Sequence, residues 1–204
     1  MSENIVDVSV FQKAKKGKYH CGDSYFYKET EKEFVCAIAD GLGSGEFAKE
    51  SSQIVIDIIR NNSSTRIENL IEKCNEQLQG KRGVVLGVLK IDFKSGTYSF
   101  SSIGNICIMT ISDDKKRKRN IPNAGYLAGY HRPFKVVQET LDKKMNFVMF
   151  SDGVSDKELS KKYLTNQDVT TITKTFEYIS EPDRDDDTTL IAIRYDADKR
   201  KAGE

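Results

Sequence analysis

A chain of 204 residues with 32 Lys and Arg against 31 Asp and Glu, a formal net charge of +1, lacks the basic excess of a nucleic-acid binder and has the length for one domain with a sizeable core. Charged residues make up 31% and hydrophobic ones 38%, which excludes a collagen-like or intrinsically disordered chain. No basic segment leads into an apolar stretch at the start, and the longest apolar run, 84–89, is broken by Gly87; a soluble cytoplasmic protein with no secretory signal and no membrane span is the expectation.

Apolar residues largely alternate over 5–11, and strand patterns at 24–28 and 33–39 flank a charged turn at 30–32, which predicts an early hairpin. From Gly45 the period lengthens, with Phe47, Ser51, Ile54, Val55, Ile58 and Ile59 on one helical face that runs out near Asn61 and Asn62. Thr65 with Glu68 three residues on reads as a capping box opening a second helix, along which Ile67, Leu70, Ile71, Cys74 and Leu78 recur. Helices joined so closely are expected to pack antiparallel. Strand patterns resume at 84–92, 97–103, 106–111, 117–121, 134–140 and 147–151, mostly at hairpin spacings. Residues 156–164 and 168–179 read as helices, 190–195 as a closing strand and 196–204 as a charged tail expected to fray. Hairpin runs with helices arriving in pairs argue for an α+β fold with antiparallel sheets, one domain over 1–195, rather than a doubly wound parallel sheet. Cys21, Cys36, Cys74 and Cys107 form no C-x-x-C pair and are expected to be reduced.

Two apolar strands end alike: 34–39 runs into Asp40-Gly41, and 147–151 into Asp152-Gly153. Each delivers a carboxylate to a strand end, where the glycine lets the chain turn and its carbonyl approach a ligand closely. One Asp-Gly is ordinary turn chemistry; two on apolar strands point to a shared site. Asp183, Asp185, Asp186 and Asp187 precede the apolar stretch 190–193, and carboxylates so crowded either seek a cation or form a solvated acidic turn. They are no EF-hand, because Thr188 and Arg194 stand where that loop needs Gly and Glu. Gly22-Asp23-Ser24 leads into a further strand. Asp23, Asp40, Asp152 and Asp186 or Asp187 therefore gather at strand ends without His or Cys, an oxygen-only set suited to Mg²⁺ or Mn²⁺. Two such ions roughly 3.5–4 Å apart make hydroxide from water and clamp a phosphoryl oxygen during in-line displacement. That chemistry is phosphate-ester hydrolysis. The loop Gly41-Leu42-Gly43-Ser44-Gly45 offers a rival, phosphate-cradling reading, but it has the wrong spacing for a dinucleotide fingerprint and no P-loop motif occurs.

Gly22-Asp23, Ala39-Asp40-Gly41-Leu42-Gly43, Ser102-Ile103-Gly104-Asn105, Ser151-Asp152-Gly153 and Asp186-Asp187-Thr188-Thr189 occur in that order between about Lys18 and Tyr195. The ordered set resembles the metal-dependent protein phosphatases (PPM family, type 2C). Within that family the short chain, the 41–45 loop, Cys74-Asn75, Lys81-Arg82-Gly83 and Gly125-Tyr126-Leu127 look like the stressosome phosphatases of Gram-positive bacteria. The resemblance implies a four-layer α-β-β-α sandwich, two packed antiparallel sheets flanked by helix pairs. It implies two ions, Mn²⁺ or Mg²⁺, held by Asp23, Asp40, the Gly41 carbonyl, Asp152 and Asp186, with Asp40 bridging, Asp40 and Asp152 catalytic, and Asp187 and Asn105 supporting the ligands. A bridging hydroxide would attack phosphorus directly, removing phosphate from phosphoserine or phosphothreonine on stressosome scaffold proteins and resetting a stress signal.

Three departures bear on that expectation. Leu42 stands where many members carry a His proposed as general acid, and Asn105 where many carry an Asp supporting a third ion. The family's phosphate-binding Arg has no clear match, which leaves Lys18 and His20 as candidates ahead of Asp23. A non-catalytic phosphoprotein-binding module on the same fold is the alternative, opposed by the retention of Asp40, Asp152 and Asp186; a nucleotide-phosphate hydrolase is a third. The basic run 115–119 reads as a solvated hairpin beside Asp113 and Asp114, and His131 as a loop residue.

Overall fold

Residues 4–201 are described by a computed structural model, in which the two periods of the sequence sort into strands and helices. β1 (Val6–Lys13), β2 (Asp23–Glu29) and β3 (Glu33–Gly41) precede α1 (Glu46–Asn61) and α2 (Ile67–Gln77). Then come β4 (Val84–Asp92), β5 (Thr97–Ile103), β6 (Cys107–Ile111), β7 (Arg117–Arg119), β8 (Val137–Thr140) and β9 (Lys144–Phe150). The chain closes with α3 (Asp156–Leu159), a 3-10 turn (Lys162–Thr165), α4 (Val169–Ile179), β10 (Thr188–Asp196) and α5 (Asp198–Lys201).

The strands form two five-stranded antiparallel sheets, ordered β1-β10-β9-β6-β7 and β2-β3-β4-β5-β8. Alternation along the strands explains the layering. In β3, Phe34, Cys36 and Ile38 face the core between the sheets, while Val35, Ala37 and Ala39 meet Val55, Ile59, Leu70 and Cys74 of α1 and α2. In β10, Ile191 and Ile193 face that same central core, and Leu190 and Ala192 meet Ile172 and Phe176 of α4. Strands covered on both faces read as continuous apolar runs, so the result is an α-β-β-α sandwich of the expected class.

Several local expectations are corrected. Arg66, not Thr65, is the N-cap of α2, and no side chain caps it; Glu68 is drawn to the Arg66 guanidinium at 3.1 Å, and the Thr65 carbonyl accepts from Lys90 Nζ at 2.9 Å. A capping box does exist, at Ser155 and Glu158. The helix expected over 156–164 breaks after Leu159, where the Arg117 guanidinium takes the carbonyls of Leu159 and Lys161 at 3.1 and 2.8 Å. β8 starts only at Val137, because the backbone of Lys135 bonds to the side chains of Asn123 and Ser101 instead of a ladder partner. Of the segment expected as a charged tail, 196–204, the described part begins inside β10 at Asp196 and continues as α5, with Lys199 Nζ on both carboxylate oxygens of Asp7, and 202–204 lie outside the described residues. All four cysteines are free.

Candidate active site

The β2–β3 hairpin sets Asp23 directly opposite Asp40, and the next residue, Gly41, pairs with Val84. A methyl group on Gly41 would stand 2.0 Å from the carbonyl oxygen of Ala48, so only glycine lets β3 pass this close to α1. From α1, Ser52 Oγ and Lys49 Nζ donate to the carbonyls of Gly22 and Asp23 at 2.6 and 2.7 Å. The start of β2 is thereby fixed against the helix.

Asp23 is 1% exposed. Its Oδ2 accepts from Ser151 Oγ at 2.8 Å and Thr189 Oγ1 at 2.6 Å, so the end of β9 and the start of β10 reach across from the other sheet to hold it. Its Oδ1 is buried with no partner among the described residues. Burial raises the Asp23 pKa, opposed by the two hydroxyls and reinforced by the charges of Asp187 and Asp152. Asp40 is pushed up to about 8, first by burial and then by the charges of Asp23, Asp152, Asp186 and Asp187. Asp152 is also raised, first by the partial desolvation of its carboxylate and then by the charge of Asp186. Mutual repulsion of this kind marks one shared cleft.

Around these carboxylates the neighbours divide by role. Asn105 Nδ2 donates to Asp152 Oδ2 at 2.5 Å. Asp187 is buried and its two oxygens accept from the backbone amides of Lys15 and Gly22 at 3.0 and 2.9 Å, which ties the loop ahead of β2 to the end of the 181–187 loop. Asp186 is exposed, one oxygen accepting from the Asp187 amide at 2.9 Å. Arg184, 8% exposed, donates to the Gly153 carbonyl at 2.6 Å and to Glu158 Oε1 and Ser180 Oγ at 2.5 Å each, resting on the ring of Phe176. Its own carbonyl accepts from the Lys16 amide at 2.8 Å. One buried guanidinium residue therefore joins the three loops that carry Asp23, Asp152 and Asp186.

The donor set can be tested against a divalent ion. All side-chain donors are carboxylate oxygens, and Asp23 Oδ1 is a desolvated oxygen that lacks a donor, a costly arrangement that a cation relieves. Among the described residues no three acidic, His or Cys side chains close on a single point. The fit therefore rests on Asp23 Oδ1 and on the all-oxygen donor set, since Mg²⁺ binds through one or two carboxylates and keeps several waters and Mn²⁺ likewise takes oxygen ligands. The residues fit such ions.

Lys18 and His20 are exposed on the loop before β2, and neither side chain bonds to a carboxylate among the described residues. Leu42 packs partly buried against the central core, so its position supplies hydrocarbon and no proton. Lys49 and Arg184 were not singled out from the sequence, since a lone basic residue in a helix or an acidic loop carries no distinguishing pattern. Ser151 and Thr189 did carry a signal, standing beside Asp152 and Asp187 in the Asp-bearing motifs. A groove of about 390 Å³ runs from Asp152 and Asp186 past Lys157 and Lys161. A larger one, about 750 Å³, lies between the edge strands β1 and β2 near Asp7, Tyr27 and Asp168 and contains none of the clustered carboxylates; chemistry, not volume, locates the site.

Residues 30–196 match the family model of Stage II sporulation protein E (SpoIIE). The phosphoserine phosphatase RsbX of Bacillus subtilis (strain 168) is 33% identical over 186 residues, covering 91% of this chain and 94% of that protein. The crystal structure of RsbX in complex with magnesium matches at 34% identity with a TM-score of 0.84, over 93% of this chain and 95% of that one. A chain solved in work on the bacterial stressosome, as a modular system controlling secondary messenger signalling, matches at 24% identity and a TM-score of 0.79, over 92% and 98%.

Proposed function

The chain belongs to the SpoIIE family of PP2C-type phosphatases, and from that membership we propose that it is a metal-dependent protein serine/threonine phosphatase acting on phosphorylated stressosome proteins. Asp23, Asp40, the Gly41 carbonyl, Asp152 and Asp186 hold two Mn²⁺ or Mg²⁺ ions in this reading. The observation that carries it is the buried Asp23, whose Oδ1 lacks a donor while four further carboxylates crowd the same cleft. The phosphoserine substrate class is supported by RsbX, and the stressosome setting by the structural relative. A cytoplasmic location goes with those substrates, and no helix among the described residues is long and apolar enough to cross a membrane.

Bound there, the ions supply Lewis acidity, lowering the pKa of water and polarising phosphoryl oxygens. The chain's own residues do the rest. Ser151 and Thr189 aim Asp23 by occupying Oδ2 and leaving Oδ1 for a cation. Asn105 fixes the Asp152 carboxylate from one side, and Asp187 locks the Lys15–Gly22 backbone that carries Asp23 to the cleft. Asp152 and Asp186 are exposed, which leaves the cleft open toward a protein-borne phosphate. Leu42 gives no proton to the leaving serine oxygen, so protonation falls to solvent and turnover is slower than with a His at that place.

Phosphate release from phosphoserine and phosphothreonine peptides tests this, with wild type, Asp40→Asn and Asp152→Asn compared with and without Mn²⁺. Wild type is expected to turn over only with metal, and each variant to lose on the order of a hundredfold or more, since even residues behind metal ligands cost about 10–100-fold. Peptide binding without turnover would instead mark the non-catalytic module, and release from free nucleotides alone the nucleotide hydrolase.

A further inference from the structure

Three motifs of the sequence play no part in the metal cleft: Cys74-Asn75, Lys81-Arg82-Gly83 and Gly125-Tyr126-Leu127. The fold brings them together beside it. Asn75 Oδ1 accepts from the amides of Ala128 and Gly129 at 3.0 Å each, and its Nδ2 donates to the Tyr130 carbonyl at 2.8 Å. Leu127 and Val84 exchange two backbone hydrogen bonds, 2.9 and 2.8 Å. A methyl group on Gly83 would stand 2.4 Å from the Tyr126 ring, so the glycine admits the ring against the strand. The 125–130 segment is thus a loop held at fixed points.

Two exposed aromatic rings, Tyr126 of this loop at 40% and Phe47 of α1 at 65%, each have a guanidinium over them: Arg132 at 5.4 Å and Arg82, the residue before Gly83, at 5.8 Å. Neither arginine has a carboxylate partner among the described residues, whereas Arg60, Arg66, Arg119 and Arg184 do; Arg117 and Arg194 also lack one, but they are less exposed and are taken up by carbonyl or amide oxygens. Arg82 Nη1 lies 3.4 Å from the carbonyl of Leu42, the residue after Gly41, which puts this charge on the rim of the cleft. Stacking on a ring holds a guanidinium in place while its edge donors remain available to oxyanions. Tyr, Phe and Arg are also the residue types enriched at protein interfaces.

Resting on the phosphatase reading above, we propose that Arg82 and Arg132, carried on Phe47 and Tyr126, form the docking rim for the anionic segment that flanks the phosphoserine of the protein substrate. The acidic cleft repels an anionic peptide, and the guanidinium of Arg82 at its rim, with that of Arg132 next along on Tyr126, supplies the complementary charge. Substrate selection is thereby separated from the metal centre.

The test uses the full chain and two labelled phosphoserine peptides, one flanked by Asp and Glu and one by Ser and Ala. Binding is followed by fluorescence anisotropy in chelator, and KM and kcat are measured with Mn²⁺. Wild type is expected to prefer the acidic-flanked peptide, and Arg82→Gln or Arg132→Gln to weaken its binding and raise its KM by roughly fivefold each, leaving the neutral-flanked peptide far less affected. Arg66→Gln, at the start of α2 and away from the cleft, keeps the wild-type preference. An unchanged preference in both rim variants overturns the rim while leaving the phosphatase reading intact. Equal losses on both peptides overturn it as well, because they place the arginines in general site integrity. If no peptide is turned over but the binding preference still falls in the variants, the rim stands and the phosphatase reading fails.

Discussion

Asp40 carries the largest electrostatic burden of any residue in the cleft, its pKa held near 8 by burial and four neighbouring carboxylates. A carboxyl whose pKa is raised on folding takes up protons as the chain folds, so its stabilising contribution is complete below about pH 4 and is lost as the pH climbs through 8. Asp23 shifts in the same direction. The chelated protein is therefore expected to show a Tm that falls between pH 5 and pH 8, and Mn²⁺ to raise the Tm more at pH 8 than at pH 5, because the cation replaces the proton as counter-charge. Scanning calorimetry across that range checks both, and Asp40→Asn is expected to flatten the slope. A Tm independent of pH in chelator would contradict the description of the cleft. At this scale the sequence was informative where apolar strands end in Asp-Gly. It was silent about Asp23 Oδ1, whose missing donor depends on where Ser151 and Thr189 arrive from the opposite sheet.

Strands and helices were legible from period alone where one or two apolar faces repeat, as in β3, β4, α1 and α4. Ends were not, because they are decided by partners distant in sequence. Lys90 takes the carbonyl of Thr65 and undoes an apparent capping box, and Arg117 takes two carbonyls after α3 and cuts the helix short. Arg184 is the clearest such partner, joining the loop after β9 to α3 and α4 through Gly153, Glu158 and Ser180. Its ion pair with Glu158 is buried, at 8% and 13% side-chain exposure. Removing one member of a buried pair strands the other, at about 3–5 kcal/mol. Arg184→Met is accordingly expected to lower unfolding stability in urea by about 3 kcal/mol, and the double variant with Glu158→Met to recover part of the loss. Additive losses would show that the two side chains act independently.

At the level of the whole molecule, the sandwich places every cleft carboxylate at one end of the two sheets, with three cores stacked behind it. The layer order followed from sequence because β3 and β10 are apolar on both faces. Asp23, Asp40, Asp152 and Asp186 were legible as one set of strand-end carboxylates, but not how they approach one another, since segments more than a hundred residues apart meet there through the packing of one sheet on the other. The rim was not legible for the same reason, although two of its motifs were: Arg82 precedes β4, Phe47 lies on α1, and Tyr126 and Arg132 lie between β7 and β8. The most direct measurement is phosphate release from a phosphoserine peptide by the chelator-treated full chain, before and after Mn²⁺ is restored. No release in chelator and turnover on adding Mn²⁺ is the predicted result; equal release in both conditions, or none in either, would contradict a divalent-metal phosphatase site in this cleft.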